Sequence, residues 1–173
     1  MLEVENIQKS FDNRFTRQFG FPKKRPAIKV KPYMSDKEMQ FIQESPFLVM
    51  ATSAADGTCD ASPKGGMPGF VKVLDESRLL IPDVAGNRLF QSYLNMTDNP
   101  HVGLIFFIPG ITDTVRVNGK SEFISKEELS SLEIELEVHN PDDNSKVQQG
   151  ILVTVEEAYG HCPRALNFSR LWG

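Results

Sequence analysis

The chain has 173 residues, of which 40% are hydrophobic and 24% are charged, a length and composition typical of one globular domain with a sizeable core. Its formal net charge of −4 at pH 7 gives the whole chain no basis for binding nucleic acid. Two cysteines, Cys59 and Cys162, are too few for a disulfide scaffold. Apolar runs of about 18 residues are absent, as is the apolar core of a secretory signal. We therefore expect a cytoplasmic protein with no membrane partner.

Charge is distributed unevenly along the chain. Residues 1–32 carry eight Lys or Arg against three acids, whereas residues 121–145 carry eight acids against one Lys. Three prolines between residues 22 and 32 interrupt any long helix near the N-terminus. We expect a basic N-terminal arm over residues 1–33 and a folded domain over residues 34–173. The arm is expected to be a solvated tail, with contact to phosphates or to an acidic partner left open.

The folded domain is expected to begin with a helix and a β-hairpin. Ser35 and Glu38 match a capping box, and the helix that they start must end before Pro46. A strand is predicted over residues 47–53. It is followed by a turn at Ala55-Asp-Gly57 and a partner strand over residues 58–62.

The rest of the chain alternates between strand and helix patterns. Residues 114–118 alternate between apolar and polar side chains, which indicates a half-buried strand, and the sheet is expected to continue to residue 125 through a bulge. The other predicted strands are 70–74, 78–81, 102–108 and 151–155. The predicted helices are 87–97, 126–137 and the tail 158–173, and a loop is predicted over 140–144. Six or seven short strands with closely spaced turns predict a mainly β (α+β) protein, an antiparallel barrel with peripheral helices.

The helix predicted from residue 87 has an unusual beginning. It opens on Gly86, Asn87 and Arg88, and helix N-termini present unpaired N–H groups and a positive dipole end to anions. Arg88 in the first turn would add a guanidinium that can donate two hydrogen bonds to one anion, and Lys64 would add a mobile point charge. The pattern predicts a site for a phosphate-bearing ligand. A surface arginine, a surface lysine and an N-capping role for Asn87 remain the alternatives.

Taken together, these segments resemble the pyridoxamine 5'-phosphate oxidase-related family, whose fold is the FMN-binding split barrel. The resemblance spans about residues 46–118 and resumes in the tail. It is carried by Phe47–Ser53, Cys59–Gly65, Leu80–Asp83, Gly86–Arg88, Asn99–Val102, Arg116–Gly119, His161–Ala165 and Ser169–Trp172.

The resemblance implies a homodimer with two FMN sites at the subunit interface. One subunit would supply the strand Asp60–Lys64 beside the flavin, the strand end at residues 80–83, and the phosphate ligands at residues 87 and 88. The other subunit would supply residues from the strand 114–118 and from the C-terminal segment. The implied cofactor-binding residues are Asp60, Ala61, Ser62, Lys64, Ile81, Pro82, Asn87, Arg88, Arg116, Asn118, Arg170 and Trp172.

The function that this implies is an FMN-dependent oxidoreductase that transfers hydride at flavin N5 to or from a small molecule. No catalytic residue is assigned, and the three histidines show no metal-ligand spacing. Genuine vitamin B6 oxidase activity is not favoured, because the tail does not reproduce the Arg-containing signature of those enzymes. The alternatives are a non-catalytic flavin- or haem-binding module, with His161 or His101 as haem ligand, and a deazaflavin-dependent reductase that also uses cations at residues 23–25.

Overall fold

The computed structural model describes residues 6, 8–84, 86, 88–132, 134, 136 and 146–173. The chain divides into two compact units, Met1–Lys31 and Pro32–Gly173. Among the described residues of the first unit are the short helices α1 (Arg14–Phe19) and α2 (Lys24–Ala27). No helix in the described part of the chain is long and apolar enough to cross a membrane.

The second unit is built on one antiparallel sheet of seven strands, in the spatial order β2-β1-β5-β6-β7-β4-β3. The sheet is not closed, since β2 and β3 are its two edges. The predicted mainly β, split-barrel architecture is therefore confirmed. The strands are β1 (Phe47–Ser53), β2 (Cys59–Gly65), β3 (Lys72–Asp75), β4 (Arg78–Val84), β5 (His101–Phe107), β6 (Thr114–Ser125) and β7 (Val147–His161).

Helices accompany the sheet at four places: α3 (Asp36–Glu44), α4 (Gln91–Asp98), α5 (Lys126–Ser131) and α6 (Arg164–Ser169). The capping box at Ser35 and Glu38 is formed, and α3 ends before Pro46 as predicted. Helix α5 is shorter than the predicted span 126–137, part of which lies outside the described residues together with the predicted loop 140–144.

The last strand is much longer than the predicted span 151–155. Strand β7 reaches His161, because its second half pairs with the start of β6, where His161 lies opposite Thr114 and Ala158 opposite Val117. The predicted helical tail from residue 158 is therefore wrong in its first part, and its helix is limited to α6. Long-range pairing decides the conformation of residues 156–161 over their local pattern.

Strand β6 continues to Ser125 as predicted, past a bulge in its pairing with β7, where Glu156 of β7 is the extra residue. The register between β6 and β7 shifts between Asn118 and Gly119, which lie opposite Glu157 and Val155 respectively. A Cβ atom on Gly119 would lie 2.1 Å from the carbonyl oxygen of Thr154. Only glycine allows the backbones of β6 and β7 to approach so closely at this bulge.

The two faces of the sheet differ in their surroundings. Residues paired across neighbouring strands share a face. The inner face of β1 and β5 carries Leu48, Met50, Leu104 and Phe106, all of which are buried in the hydrophobic core. The outer face of the same two strands carries a row of more exposed apolar residues, namely Phe47, Val49, Ile105 and Phe107.

Candidate functional site

A cavity of about 800 Å³ opens at the edge of the sheet, between β2, the end of β4 and the segment that leads into α4. The predicted site residues that line it are Asp60, Ala61, Ser62, Lys64, Pro82 and Arg88. The sequence motifs at residues 60–64, 82 and 88 are thus brought together in space, although more than 20 residues separate the first motif from the last.

Strand β2 presents its polar side chains to this cavity. In the pairing with β1, Lys64 lies opposite Leu48, Ser62 opposite Met50, and Asp60 opposite Thr52. These three partners on β1 are buried, so Asp60, Ser62 and Lys64 share the inner face of the sheet. The spacing of two residues in a strand explains why alternate positions between 60 and 64 face the same way.

The loop before α4 corrects one prediction. The helix begins at Gln91 rather than at residue 87, and Phe90 is its N-cap. Arg88 (φ 60°) and Phe90 (φ 55°) adopt the left-handed conformation, which a right-handed helix excludes. Arg88 therefore lines the cavity from the loop and not from the first helical turn. Asn87, the other predicted phosphate ligand, lies outside the described residues.

Residues with left-handed backbone conformation are uncommon unless they are glycine, and such strain concentrates at functional sites. Here two of them lie within three residues, at the mouth of the cavity. No side chain caps the N-terminus of α4, whose first residues, Gln91 and Ser92, line the cavity. Arg88 and the N-terminus of α4 thus border the same cavity, a combination suited to an anion.

A buried carboxylate that the sequence analysis did not single out also lines the cavity. Asp83, at 4% exposure, accepts a hydrogen bond from the Tyr93 hydroxyl at Oδ1 and one of 2.9 Å from Gln149 Nε2 at Oδ2. Burial and the neighbouring carboxylate raise the pKa of Tyr93 above its usual range, so this hydroxyl remains a donor. We call Lys64, Asp83, Tyr93 and Gln149 the Asp83 cluster.

Lys64 is the basic member of that cluster. Its Nζ atom lies 5.6 Å from the centre of the Tyr93 ring, a distance at which a cation is attracted by the ring face. Burial lowers the pKa of Lys64, and the negative charges of Asp83 and Asp60 oppose this effect in part. Asp60 is itself held by a hydrogen bond from the Ser92 hydroxyl of α4.

Five other predicted site residues do not line this cavity. Ile81 is fully buried in the hydrophobic core. Arg116 and Asn118 lie on the outer face of β6, where Arg116 Nη1 donates to the Tyr159 hydroxyl at 3.4 Å and Asn118 Nδ2 to Glu157 Oε2 at 2.9 Å. In the tail, Trp172 Nε1 donates to the Ile111 carbonyl at 2.9 Å, and Arg170 ends α6.

Sequence reasoning missed Asp83, Tyr93 and Gln149 for different reasons. Tyr93 looks like one more apolar residue of a helix, and nothing local links Gln149 to the site. Asp83 carried a usable indication, since it is an acid at the end of the apolar run Leu79–Pro82. A carboxylate that continues a buried strand needs hydrogen-bond partners.

One protein family matches the chain over most of its length. The family model described as pyridoxamine 5'-phosphate oxidase matches residues 34–162. The chain belongs to this family. No curated protein matches the sequence.

Solved structures of distant relatives share the fold of this family member. HupZ of Group A Streptococcus is 16% identical with a TM-score of 0.52, and the match covers 73% of this chain and 94% of HupZ. A Lactobacillus delbrueckii protein provisionally named a pyridoxamine 5'-phosphate oxidase is 19% identical with a TM-score of 0.53, covering 76% and 99%. An FMN-binding protein from Syntrophomonas wolfei is 6% identical with a TM-score of 0.50, covering 73% and 85%.

Proposed function

We propose that this protein binds FMN in the cavity between β2, β4 and α4, and that it is an oxidoreductase acting on a small molecule. The observation that carries the proposal is the meeting of Lys64, Arg88 and the start of α4 around one cavity of about 800 Å³. That volume lies within the range of roughly 300–1,000 Å³ typical of cofactor pockets. Membership of the pyridoxamine 5'-phosphate oxidase family and the shared fold of an FMN-binding protein support it.

The residues present fit the chemistry of FMN. A phosphate needs cations and several N–H donors, which Arg88, Lys64 and the N-terminus of α4 offer. A flavin ring needs a slot with polar groups at one edge. Strand β2 is an edge of the sheet, so the backbone N–H and C=O groups that point away from β1 are available to a ligand.

The chain's own part in the proposed reaction is placement. FMN, when bound, supplies hydride transfer at its N5 atom. Arg88 and the N–H groups of α4 would orient the phosphate end of FMN, and Ser62 on β2 would direct its hydroxyl to the flavin end. Phe70 and Pro82 line the cavity as apolar walls that would keep water away.

We further propose that the protein is a homodimer. The outer face of β1 and β5 carries Phe47, Val49, Ile105 and Phe107, with the rings of Phe47 and Phe107 6.0 Å apart. Continuous apolar faces of this kind are typical of subunit interfaces. Arg116 and Asn118 lie on the same face, opposite Ile105 and Gly103, so a second copy covering this face would meet these two of the predicted residues that do not line the cavity of their own chain.

A haem-binding role is less well supported. Histidine is absent from the described residues that line the cavity. His101 lies at the start of β5, where its side chain is exposed and its Nε2 atom is 3.9 Å from Glu156.

An absorption spectrum of the purified protein tests the cofactor, followed by mass identification of whatever denaturation releases. Flavin bands and the mass of FMN are the expected result. Titration with FMN and with riboflavin then tests the phosphate contacts, and FMN is expected to bind much more tightly. Equal affinity would refute the phosphate assignment, and a protein that neither contains nor takes up FMN would refute the proposal.

A further inference from the structure

The Asp83 cluster joins four separate parts of the fold at the wall of the cavity. Lys64 comes from β2, Asp83 from β4, Tyr93 from α4 and Gln149 from β7. Both oxygens of Asp83 accept hydrogen bonds from neutral donors. The carboxylate is therefore fixed in direction. Asp83 and Lys64 line the same cavity and both contact Tyr93, and the charge of Asp83 opposes the lowering of the Lys64 pKa by burial.

The Tyr93 ring is held on several sides. It stacks on Phe123 with ring centres 5.5 Å apart and an interplanar angle of 16°, and the Phe90 ring meets it edge-on at 5.7 Å. Its hydroxyl is anchored on Asp83. Because Phe123, Phe90 and Asp83 hold the ring in place, it presents a defined face to Lys64 Nζ at 5.6 Å. This limits the positions open to the flexible Lys64 side chain.

We propose that Asp83 is a positioning residue, which holds the Lys64 ammonium at the cavity wall, through its own charge and through the Tyr93 ring, where it meets an anionic part of bound FMN. This inference rests on the proposed function for the identity of the ligand. It goes beyond that function because it assigns to Asp83 the task of positioning another side chain for the cofactor.

The other charged groups around Lys64 do not replace Asp83. Asp60 lies on the same strand and its charge also favours the Lys64 ammonium, but it acts less strongly than the charge of Asp83. Arg88 lines the same cavity and, as a cation, does not favour an ammonium there. Because burial acts against the charged form of Lys64, a fixed carboxylate close to it is the group that favours an ammonium there.

The Asp83→Asn variant tests this in the full-length protein without ligand. Reaction of Lys64 with a limiting amount of acetic anhydride, measured by mass spectrometry across pH, reports how much of the amine is uncharged. Without the carboxylate we expect about three- to tenfold faster labelling of Lys64 at mildly alkaline pH, since each unit of pKa is a tenfold change in the free amine. The matched control is Asp75→Asn, at the end of β3 beside the turn to β4. Unchanged labelling of Lys64 in a folded Asp83→Asn variant would overturn the inference.

Tyr93→Phe provides a second variant that keeps the ring and all charges. Asp83 Oδ1 then loses its donor, and the Lys64 ammonium, which its charge already attracts, is able to take the place of the hydroxyl. We expect labelling of Lys64 to slow, the opposite of the Asp83→Asn result. A merely structural link between β4, β7 and α4 would give the same direction in both variants, and that outcome would overturn the inference.

Titrations of the same variants with FMN and riboflavin separate this inference from the proposed function. Weaker binding of FMN alone in Asp83→Asn assigns Lys64 to the phosphate, and weaker binding of both ligands assigns it to the flavin ring; either result supports the inference. Unchanged binding of both would overturn it. A wild-type protein that binds neither ligand would refute the proposed function and the cofactor half of the inference, whereas the labelling result decides the control of Lys64 by Asp83 independently.

Discussion

Arg88 lines the cavity from a segment in the left-handed conformation, and we propose that its guanidinium meets the phosphate of FMN. The Arg88→Ala variant is expected to weaken FMN binding about ten- to hundredfold, because a charge-assisted contact is lost. Quenching of flavin fluorescence during titration measures this. Binding of riboflavin should change little, since it has no phosphate.

Arg78→Ala is the matched control for that variant. Arg78 is an exposed arginine at the start of β4 that pairs with Asp75 at 2.7 Å, outside the cavity lining. Its replacement should leave FMN binding unchanged. Equal affinities of wild type and Arg88→Ala would remove Arg88 from the proposed site.

Lys64 is a residue that we expect to cost stability. Because burial lowers its pKa, the folded chain disfavours the ammonium, and this penalty is largest at pH values below the lowered pKa. It falls as pH rises from the lowered pKa in the folded state toward the ordinary value of 10.5 in the unfolded chain. We therefore expect Lys64→Met to unfold at a higher temperature than the wild type at pH 7, and this difference to shrink toward pH 10.

The same variant should bind FMN more weakly, which separates stability from function at one position. Lys37→Met, an exposed lysine on α3, controls for the general effect of removing a surface charge. A Lys64→Met protein that is less stable than wild type at every pH would show that the attraction between Lys64 and the two carboxylates outweighs its burial.

Individual residues of the site could be predicted where local pattern decides them. Alternation in β2 places Asp60, Ser62 and Lys64 on one face, and the sequence shows this directly. The left-handed conformations of Arg88 and Phe90 could not be foreseen, since neither residue favours that region and no glycine occupies their positions. The prediction therefore started α4 four residues too early.

The bulge between β6 and β7 depends on one glycine of β6. Gly119→Ala would bring a Cβ to 2.1 Å from the Thr154 carbonyl oxygen, and backbone at that position cannot move aside without disturbing the longest strand pair in the sheet. Overpacking of this kind costs about 1–3 kcal/mol or more, roughly 3–10 °C in Tm for a chain of this size. Thermal unfolding followed by circular dichroism measures it.

Gly160→Ala offers a control in the same pair of strands. A Cβ at Gly160 meets no atom within 4 Å, so this variant should unfold within about 2 °C of the wild type. Similar losses in both variants would mean that alanine weakens the β6–β7 pair for a reason other than the close contact at the bulge.

Among the elements, those with strong local indications were predicted well and those decided by distant partners were not. The helix α3 follows from its capping box and from Pro46, and the turn at residues 55–57 from its Asp-Gly pair. Strand β7 was predicted five residues long because only Ile151–Val155 is uniformly apolar or β-branched. Its extension to His161 arises from hydrogen bonds to β6, whose position along the chain no local pattern reveals.

The fold and family of the whole molecule could be predicted because several weak motifs occur in the right order. Each motif alone is short, but the strand at residues 47–53, the Lys64 segment and the strand end at residues 80–83 together match one family. Which residues complete the site could not be predicted from one chain, because four of the implied ligands do not line the cavity of their own chain. These are Arg116, Asn118, Arg170 and Trp172.

The outer face of β1 and β5 makes a prediction about assembly. Ile105→Lys places a charge among Val49, Phe107 and Arg116, and a lysine buried there without a partner would be strongly unfavourable. We expect wild type to sediment as a dimer and Ile105→Lys as a monomer at the same concentration. Leu132→Lys, which changes an apolar residue at the C-terminal end of α5 that is 60% exposed, should remain a dimer.

Assembly and cofactor binding should then depend on each other. If a second copy brings Arg116 and the C-terminal segment to the cavity, FMN binds the dimer more tightly than the monomer, and by linkage FMN must favour the dimer to the same extent. The Ile105→Lys variant should therefore bind FMN more weakly, although residue 105 lies on the opposite face of the sheet from Lys64. Added FMN should also shift the wild type toward the dimer at low protein concentration. A monomeric Ile105→Lys protein that binds FMN as tightly as wild type would show instead that one chain holds the complete site.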